Sequence, residues 1–127
     1  MAKRTSPTAR VLKHYRDCGF HIEVVERWLP RTLTRKDFIG CVDLIAIKPG
    51  VGIVGVQATS RANHASRRNK AKAEPLLRTW LASGGRFEVA STAKQGERGK
   101  RKLWNVKREE LVAADLTSDT IGESEAA

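Results

Sequence analysis

Two apolar runs separated by a Pro-Gly pair limit what this chain can fold into. The first covers residues 41–47 and the second residues 51–59, and both are rich in Val, Ile, Ala and Gly. Apolar runs of this length, bounded by a turn signal, are typical of buried strands. Because Pro49 and Gly50 lie between them, we predict a β-hairpin.

The residues before the hairpin indicate one helix and one strand. Val11, Leu12 and Tyr15 fall at helical spacing, so a helix is predicted from about Thr8 until Gly19, with Ser6 or Thr8 as its cap. Residues 20–29 have the composition of a strand, which Pro30 ends.

After the hairpin the pattern changes to helix and then back to strand. A helix is predicted over residues 63–83, bent or restarted at Pro75, and strands over 86–91 and 102–106, with a helical turn over 107–112. The resulting order, αβββαββ, predicts an α/β fold with a mixed sheet flanked by helices.

The chain has 127 residues, enough for one hydrophobic core and too few for two ordinary domains. Residues 1–112 are predicted to form this single domain, and residues 113–127 an acidic, disordered tail with four carboxylates and no Lys or Arg.

Since the whole chain carries a net charge of +10, residues 1–112 carry +14. This charge favours a polyanion such as nucleic acid as the partner, and the alternative is a merely soluble basic surface.

The cysteines and the hydropathy bear on location. Cys18 and Cys41 have neither a CxxC spacing nor a disulfide pattern, and no secretory signal precedes them. No apolar run approaches the roughly 18 residues that a membrane helix needs. We therefore expect a cytoplasmic protein with no membrane partner.

One carboxylate lies inside the first apolar run. Asp43 is costly to bury unless it is paired, hydrogen-bonded or bound to a metal, and the alternative is an Asp at the strand start that pairs with Arg35 or Lys36. Gln57 and Thr59 lie two residues apart on the next strand, so they face the same side. If the hairpin forms, Asp43 and Gln57 converge and can supply oxygen ligands to a hard cation such as Mg²⁺; otherwise Gln57 and Thr59 are solvent-facing strand polarity.

The arrangement around residues 40–47 and 55–59 resembles the PD-(D/E)XK nuclease superfamily, and in particular its Holliday-junction-resolvase-like and phage-type members. The resemblance covers roughly residues 5–106 and implies a restriction-endonuclease-like αβββαβ core. In that family an Asp opens the second strand and a (D/E)xK group lies on the third. Asp43 matches the metal-binding Asp, whereas Gln57 stands at the acidic position and Thr59 at the Lys position.

Other acidic residues enter through the same resemblance. The family often carries a Glu on its first helix, but the comparable position here is about Thr8. Similarity to small phage and prophage proteins implies that Glu26 and Asp37 belong to the site, with Glu26 a metal ligand beside Asp43 and Gln57. From the residues alone, Glu26 and Asp37 are equally well explained as salt-bridge partners of Arg27 or Arg35.

The resemblance implies a metal-dependent endonuclease that hydrolyses phosphodiester bonds in DNA with Mg²⁺ or Mn²⁺, in a bacterial or phage-infected cell. Such folds often act as homodimers. Because Thr59 cannot replace the Lys, a cation from the following helix, Arg61, Arg67 or Lys70, would have to reach the site. The alternative is a DNA-binding protein that keeps the nuclease fold without turnover.

Basic residues cluster on and before the second predicted helix and in a late loop, where phosphate contacts are their natural use. No base-reading motif is present, so we predict structure-preferring or sequence-independent binding. The predicted DNA contacts are Arg35, Lys36, Arg61, Arg67, Arg68, Lys70, Lys72, Lys100 and Arg101. His14, His21 and His64 are expected to be ordinary surface or boundary residues, and Trp28, Trp80 and Trp104 to pack in the core or at its boundary rather than stack on bases.

Overall fold

The computed structural model describes residues 6–96, 99 and 103–116, and these form an α/β fold. Three α-helices and seven strands make up its framework, with a short 3₁₀ helix after β5 and another after β7. They are α1 (Pro7–Asp17), β1 (His21–Val24), β2 (Arg27–Leu29), β3 (Thr34–Lys36), β4 (Leu44–Lys48), β5 (Gly52–Ser60), a 3₁₀ helix (Arg61–Asn63), α2 (His64–Lys72), α3 (Pro75–Ala82), β6 (Arg86–Gln95), β7 (Leu103–Leu111) and a 3₁₀ helix (Ala113–Asp115).

Five strands form a mixed sheet in the order β1-β4-β5-β6-β7, and β2 pairs with β3 in a separate two-stranded sheet. Only β5 and β6 are parallel among these pairs. A parallel pair needs a crossover connection, and α2 and α3 provide it. With the small sheet set aside, the main elements follow the predicted order αβββαββ.

Helix α1 covers one face of the main sheet. Ser6 caps it by accepting a hydrogen bond from the Ala9 amide at 3.1 Å, and Pro7 occupies its first turn. Val11 and Tyr15, one turn apart, are buried against residues of β1, β4 and β5. Each large apolar side chain buried this way contributes roughly 1.5–3 kcal/mol before the entropy cost of folding.

Helices α2 and α3 cover the opposite face, above a second hydrophobic cluster that includes Val42, Leu77 and Phe87. Leu116 also belongs to this cluster, so the packed part of the chain extends four residues past Val112. Residues 117–127, most of the predicted tail, lie outside the described residues.

A buried polar network joins α1 to β6 and β7. The Tyr15 hydroxyl donates to Glu88 Oε1 at 2.5 Å, and Arg108 donates to the same oxygen from Nε at 2.8 Å. The Arg108 guanidinium also lies 4.5 Å from the centre of the Tyr15 ring. Burial and the Glu88 carboxylate raise the pKa of Tyr15, so its hydroxyl remains a donor.

Two of the predicted elements are wrong. Residues 20–29 are not one strand, because the pairing with β4 ends at Val24 and the chain continues into the small sheet as β2. The helical turn predicted over 107–112 is absent, because residues 103–111 pair with β6 along their whole length. Pairing with a neighbouring strand has overridden the local helical preference of Lys, Arg and Glu. The predicted restart at Pro75 is confirmed, since α2 ends at Lys72 and the Glu74 carboxylate caps α3.

Candidate metal centre

A tight loop brings Asp37 opposite Asp43. Phe38 and Val42 exchange both backbone hydrogen bonds, at 2.8 and 3.0 Å, which leaves residues 39–41 as the loop. Ile39 and Gly40 have φ angles of 50° and 83°, and a Cβ at residue 40 would collide with the Glu74 carboxylate. Only glycine fits this position without strain, so Gly40 fixes the approach of the two aspartates.

A bulge places Glu26 beside the same aspartate. The carbonyl oxygen of Asp43 accepts hydrogen bonds from the backbone amides of both Val25, at 2.8 Å, and Glu26, at 3.2 Å. Two residues therefore oppose one where β1 ends, which is the pattern of a β-bulge. A bulge bends the strand and redirects its side chains, and here it directs Glu26 toward Asp43.

Glu26, Asp37 and Asp43 form an acidic cluster in which one carboxylate oxygen of each lies within 4.8 Å of the others. Two oxygens on opposite sides of one Mg²⁺ lie about 4.2 Å apart, so small side-chain rotations suffice to close the three groups on a cation. All three donors are hard oxygens, which suits Mg²⁺ and Mn²⁺ better than softer metals. The residues present therefore fit a divalent cation.

Asp43 is held by two donors from β5. Its Oδ2 accepts hydrogen bonds from Gln57 Nε2 at 2.7 Å and from the Ala58 amide at 3.0 Å. Burial and the neighbouring carboxyls of Asp37 and Glu26 nevertheless raise the pKa of Asp43 to about 8, because they disfavour its charged form. A cation in the cluster would remove this penalty.

The acidic cluster opens into a cavity of about 320 Å³. Cations surround the carboxylates there, and one of them, Arg35, donates to Glu26 at 3.1 Å. Thr8, from the first turn of α1, also reaches this cavity. Its lining residues are Thr8, Glu26, Arg35, Asp37, Asp43, Gln57, Ala58, Arg67 and Lys70. The cavity thus combines a group of carboxylates with positively charged side chains.

Gln57 and Thr59 are both buried, so the interpretation of them as solvent-facing strand residues is wrong. Gln57 points its amide nitrogen at Asp43, and in this orientation it positions that carboxylate; its role as a metal ligand stays a prediction. Thr59 is not among the described residues that line the cavity. The interpretation of Glu26 as a salt-bridge partner of Arg35 is confirmed, and its role as a site residue and metal ligand stays a prediction.

The predicted DNA contacts divide into three groups. Arg35, Arg67 and Lys70 line the cavity, and Lys36 lines a neighbouring cavity with Asp37.

Arg61 instead donates to Ser91 and Asn105, and Arg68 pairs with Glu109 at 3.2 Å. Lys72, at the end of α2, is half-buried, while Lys100 and Arg101 lie outside the described residues.

His64 is buried, so the expectation of an ordinary surface or boundary residue is wrong for it. One ring nitrogen lies 2.6 Å from Ser91 Oγ and the other 2.8 Å from Glu109 Oε1. Ser91 is fully buried and already accepts from Arg61, so this group ties α2 to β6 and β7 rather than exposing a nucleophile. The sequence signal for this buried group was the position of Ser91 within the apolar run of β6.

The tryptophans also differ from one another. Trp80 is half-buried and donates to the Arg86 carbonyl at 2.8 Å, which confirms boundary packing for this residue. Trp28 and Trp104 expose 54% and 46% of their surface. The guanidinium of Arg10 lies over the Trp104 ring, 3.3 Å from its centre, whereas Trp28 has no ring or cation partner among the described residues.

Comparison with protein-family models, curated proteins and solved structures finds no match to this chain. In the part of the chain that the structure describes, no helix has both the length and the apolar character to cross a membrane.

Proposed function

We propose that this protein is a metal-dependent deoxyribonuclease that hydrolyses phosphodiester bonds. The observation that carries the proposal is the convergence of Glu26, Asp37 and Asp43 in a cavity that Arg67 and Lys70 also line. Carboxylates in such a group repel one another unless a proton or a cation lies among them, and the adjacent positive side chains suit a phosphate.

The arrangement of elements supports a restriction-endonuclease-like core of the PD-(D/E)XK type. A helix, an antiparallel strand set, a helical crossover and a parallel strand follow in the expected order. Asp43 precedes β4 directly, Gln57 lies on β5, and Thr8 of α1 reaches the cavity where the family often has a Glu.

Each side chain then has a defined part in the chemistry. A bound Mg²⁺ or Mn²⁺ would act as a Lewis acid and lower the pKa of a water that it binds. Gln57 and the Ala58 amide fix the Asp43 carboxylate, and Arg35 holds Glu26. Arg67 and Lys70 bind the phosphate and stabilise the negative charge that develops on it, the part that Thr59 cannot take.

A DNA-binding protein without turnover is the second candidate. Thr59 stands where the family has its Lys, and the amide nitrogen of Gln57, rather than its oxygen, faces Asp43. Both features weaken catalysis while leaving the basic cavity intact. Such a protein would bind DNA with a strong salt dependence and leave it uncut.

Cleavage of labelled linear duplex, single-stranded and four-way-junction DNA distinguishes the two candidates. We expect cutting with Mg²⁺ or Mn²⁺ and none in EDTA, and a loss of about 100-fold or more in Asp43→Asn. Asp17→Asn is the matched control, because Asp17 is exposed on α1 and pairs with Lys13.

Two outcomes would contradict the proposal. If neither metal supports cutting while DNA binding persists, the second candidate stands. If Asp43→Asn cuts as fast as the unmodified protein, the metal centre lies elsewhere.

A further inference from the structure

The small sheet β2–β3 projects as a hairpin, residues 27–36, from the edge of the candidate metal centre. Every residue of both strands is exposed except Leu29, which is half-buried. Isolated two-stranded hairpins are marginally stable in water, so this segment draws little stability from burial. Leu33 near its tip is 73% exposed and has a φ of 53°, an unfavourable backbone conformation for leucine.

The charges of the hairpin oppose its own pairing. Arg27 lies directly across from Lys36, and like charges in this position destabilise a strand pair. Arg31 adds a further exposed cation to the same hairpin. Among the described residues, Arg35 is the one hairpin cation with an ion-pair partner, Glu26. Unpaired cations on an exposed ribbon are complementary to a polyanion.

The hairpin is joined directly to the acidic cluster at both ends. Glu26 immediately precedes β2, and Asp37 immediately follows β3. Arg35, which donates to Glu26 inside the cavity, lies directly across from Trp28. Residues paired in this way have Cα atoms about 5 Å apart and point to the same face. That face therefore carries both a cation that lines the cavity and the exposed Trp28 ring.

We propose that the hairpin is a DNA-binding arm that stacks Trp28 on an unpaired base next to the phosphate held in the cavity. This inference rests on the proposed function and names its substrate class. In a paired duplex both faces of a base are covered by its neighbours, so an aromatic side chain stacks readily only where a base is unpaired. The substrate is accordingly single-stranded DNA or a duplex that carries a single-stranded flap.

Binding in EDTA tests the arm without requiring cleavage. The probes are a fluorescein-labelled single strand, the same strand fully paired, and a duplex with a single-stranded flap. The protein is expected to bind the flap and the single strand more tightly than the paired duplex. Trp28→Ala should weaken binding to the flap and to the single strand by about 5- to 100-fold, the range for loss of one stacked base. Binding to the fully paired duplex should stay within about twofold.

Three further variants separate stacking from a structural role. Trp28→Phe should keep most of the preference, and Trp104→Ala, a tryptophan of similar exposure on β7, should keep all of it. Lys36→Glu replaces the repulsion with Arg27 by an attraction, so it should preserve or raise the melting temperature. The same variant should weaken binding to every probe by about threefold or more.

Equal affinity for flap and paired duplex in the unmodified protein would overturn the arm, as would an unchanged preference in Trp28→Ala. A Lys36→Glu protein that binds as before would overturn it as well. These failures differ from failure of the proposed function, in which the preference persists in EDTA but Mg²⁺ and Mn²⁺ support no cleavage.

Discussion

The backbone amide of Glu26 donates to the carbonyl oxygen of Asp43 at 3.2 Å, and the carboxyl groups of the same two residues belong to one acidic cluster. The main chain therefore forces the two side chains together. Because the bulge holds the two carboxyl groups close together in the folded state, a cation that relieves their repulsion should stabilise the fold. Folding and cation binding should therefore be coupled.

Stability in EDTA should decrease with rising pH. The pKa of Asp43 is raised to about 8, so the folded state binds a proton more tightly than the unfolded state does. The resulting stabilisation is fully present below about pH 4 and is lost as the pH rises from about 4 to 8, by on the order of a few kcal/mol. The pKa values of Glu109 and Glu110 are lowered, so these two groups change the pH dependence of stability only at more acidic pH.

Chemical denaturation between pH 5 and 9 measures this effect. Mn²⁺ should raise the midpoint more at pH 8 than at pH 5, because protons compete with the cation for the same carboxylates. Asp43→Asn should flatten the pH dependence, and an identical slope in that variant would contradict the assignment.

Gln57 should be important for the orientation of Asp43. Gln57→Ala removes a donor at 2.7 Å from a buried carboxylate and should cost roughly 1.5–3 kcal/mol of unfolding free energy. Gln57→Glu adds a fourth acidic group, which should destabilise the metal-free protein and tighten Mn²⁺ binding. Calorimetric titration and thermal melts distinguish these effects, with Gln95→Glu on the exposed end of β6 as the control. Equal Mn²⁺ affinity in the two Glu variants would refute the prediction.

Arg67 and Lys70 should contribute to DNA affinity through charge. Replacing either with Ala should weaken binding to all sequences alike and reduce the slope of log affinity against log salt by about one. Arg68→Ala is the matched control, because Arg68 pairs with Glu109 and does not line the cavity. A larger change in Arg68→Ala than in Lys70→Ala would place the DNA on another surface.

Glu88 should matter for stability and not for cleavage. It is buried on the α1 side of the sheet and accepts from both Tyr15 and Arg108, so Glu88→Gln should cost about 3 kcal/mol or more. Glu110→Gln breaks the exposed pair with Arg86 and should cost under about 1 kcal/mol. Urea denaturation compares the two, and similar losses would show that the network contributes little.

The sequence predicted Asp43 and its hairpin because both depend on local information, namely two apolar runs and a turn. The position of Glu26 depends on a bulge that forms only when Val25 and Glu26 meet the Asp43 carbonyl, and no pattern in residues 20–29 reveals it. The extent of β7 was missed for a related reason, since its pairing with β6 is a long-range contact.

The burial of His64 also depends on residues that are distant in the sequence. Its helix is polar and basic, so nothing local indicates burial. Its two partners, Ser91 and Glu109, lie 27 and 45 residues away. The site residues that resemblance supplied, Glu26 and Asp37, lie with Asp43, but resemblance alone could not say which neighbours hold them.

The attachment of the hairpin to Glu26 and Asp37 has a consequence for evolution. The strand register places Arg27 across from Lys36 at its base, so residues added in equal number to both strands lengthen it without separating the two carboxylates. A one-sided insertion at the base would shift one of them out of the cluster. The hairpins of homologous chains should therefore differ in length near the tip, by equal numbers of residues in the two strands. The spacing from Asp37 to Asp43 should stay constant.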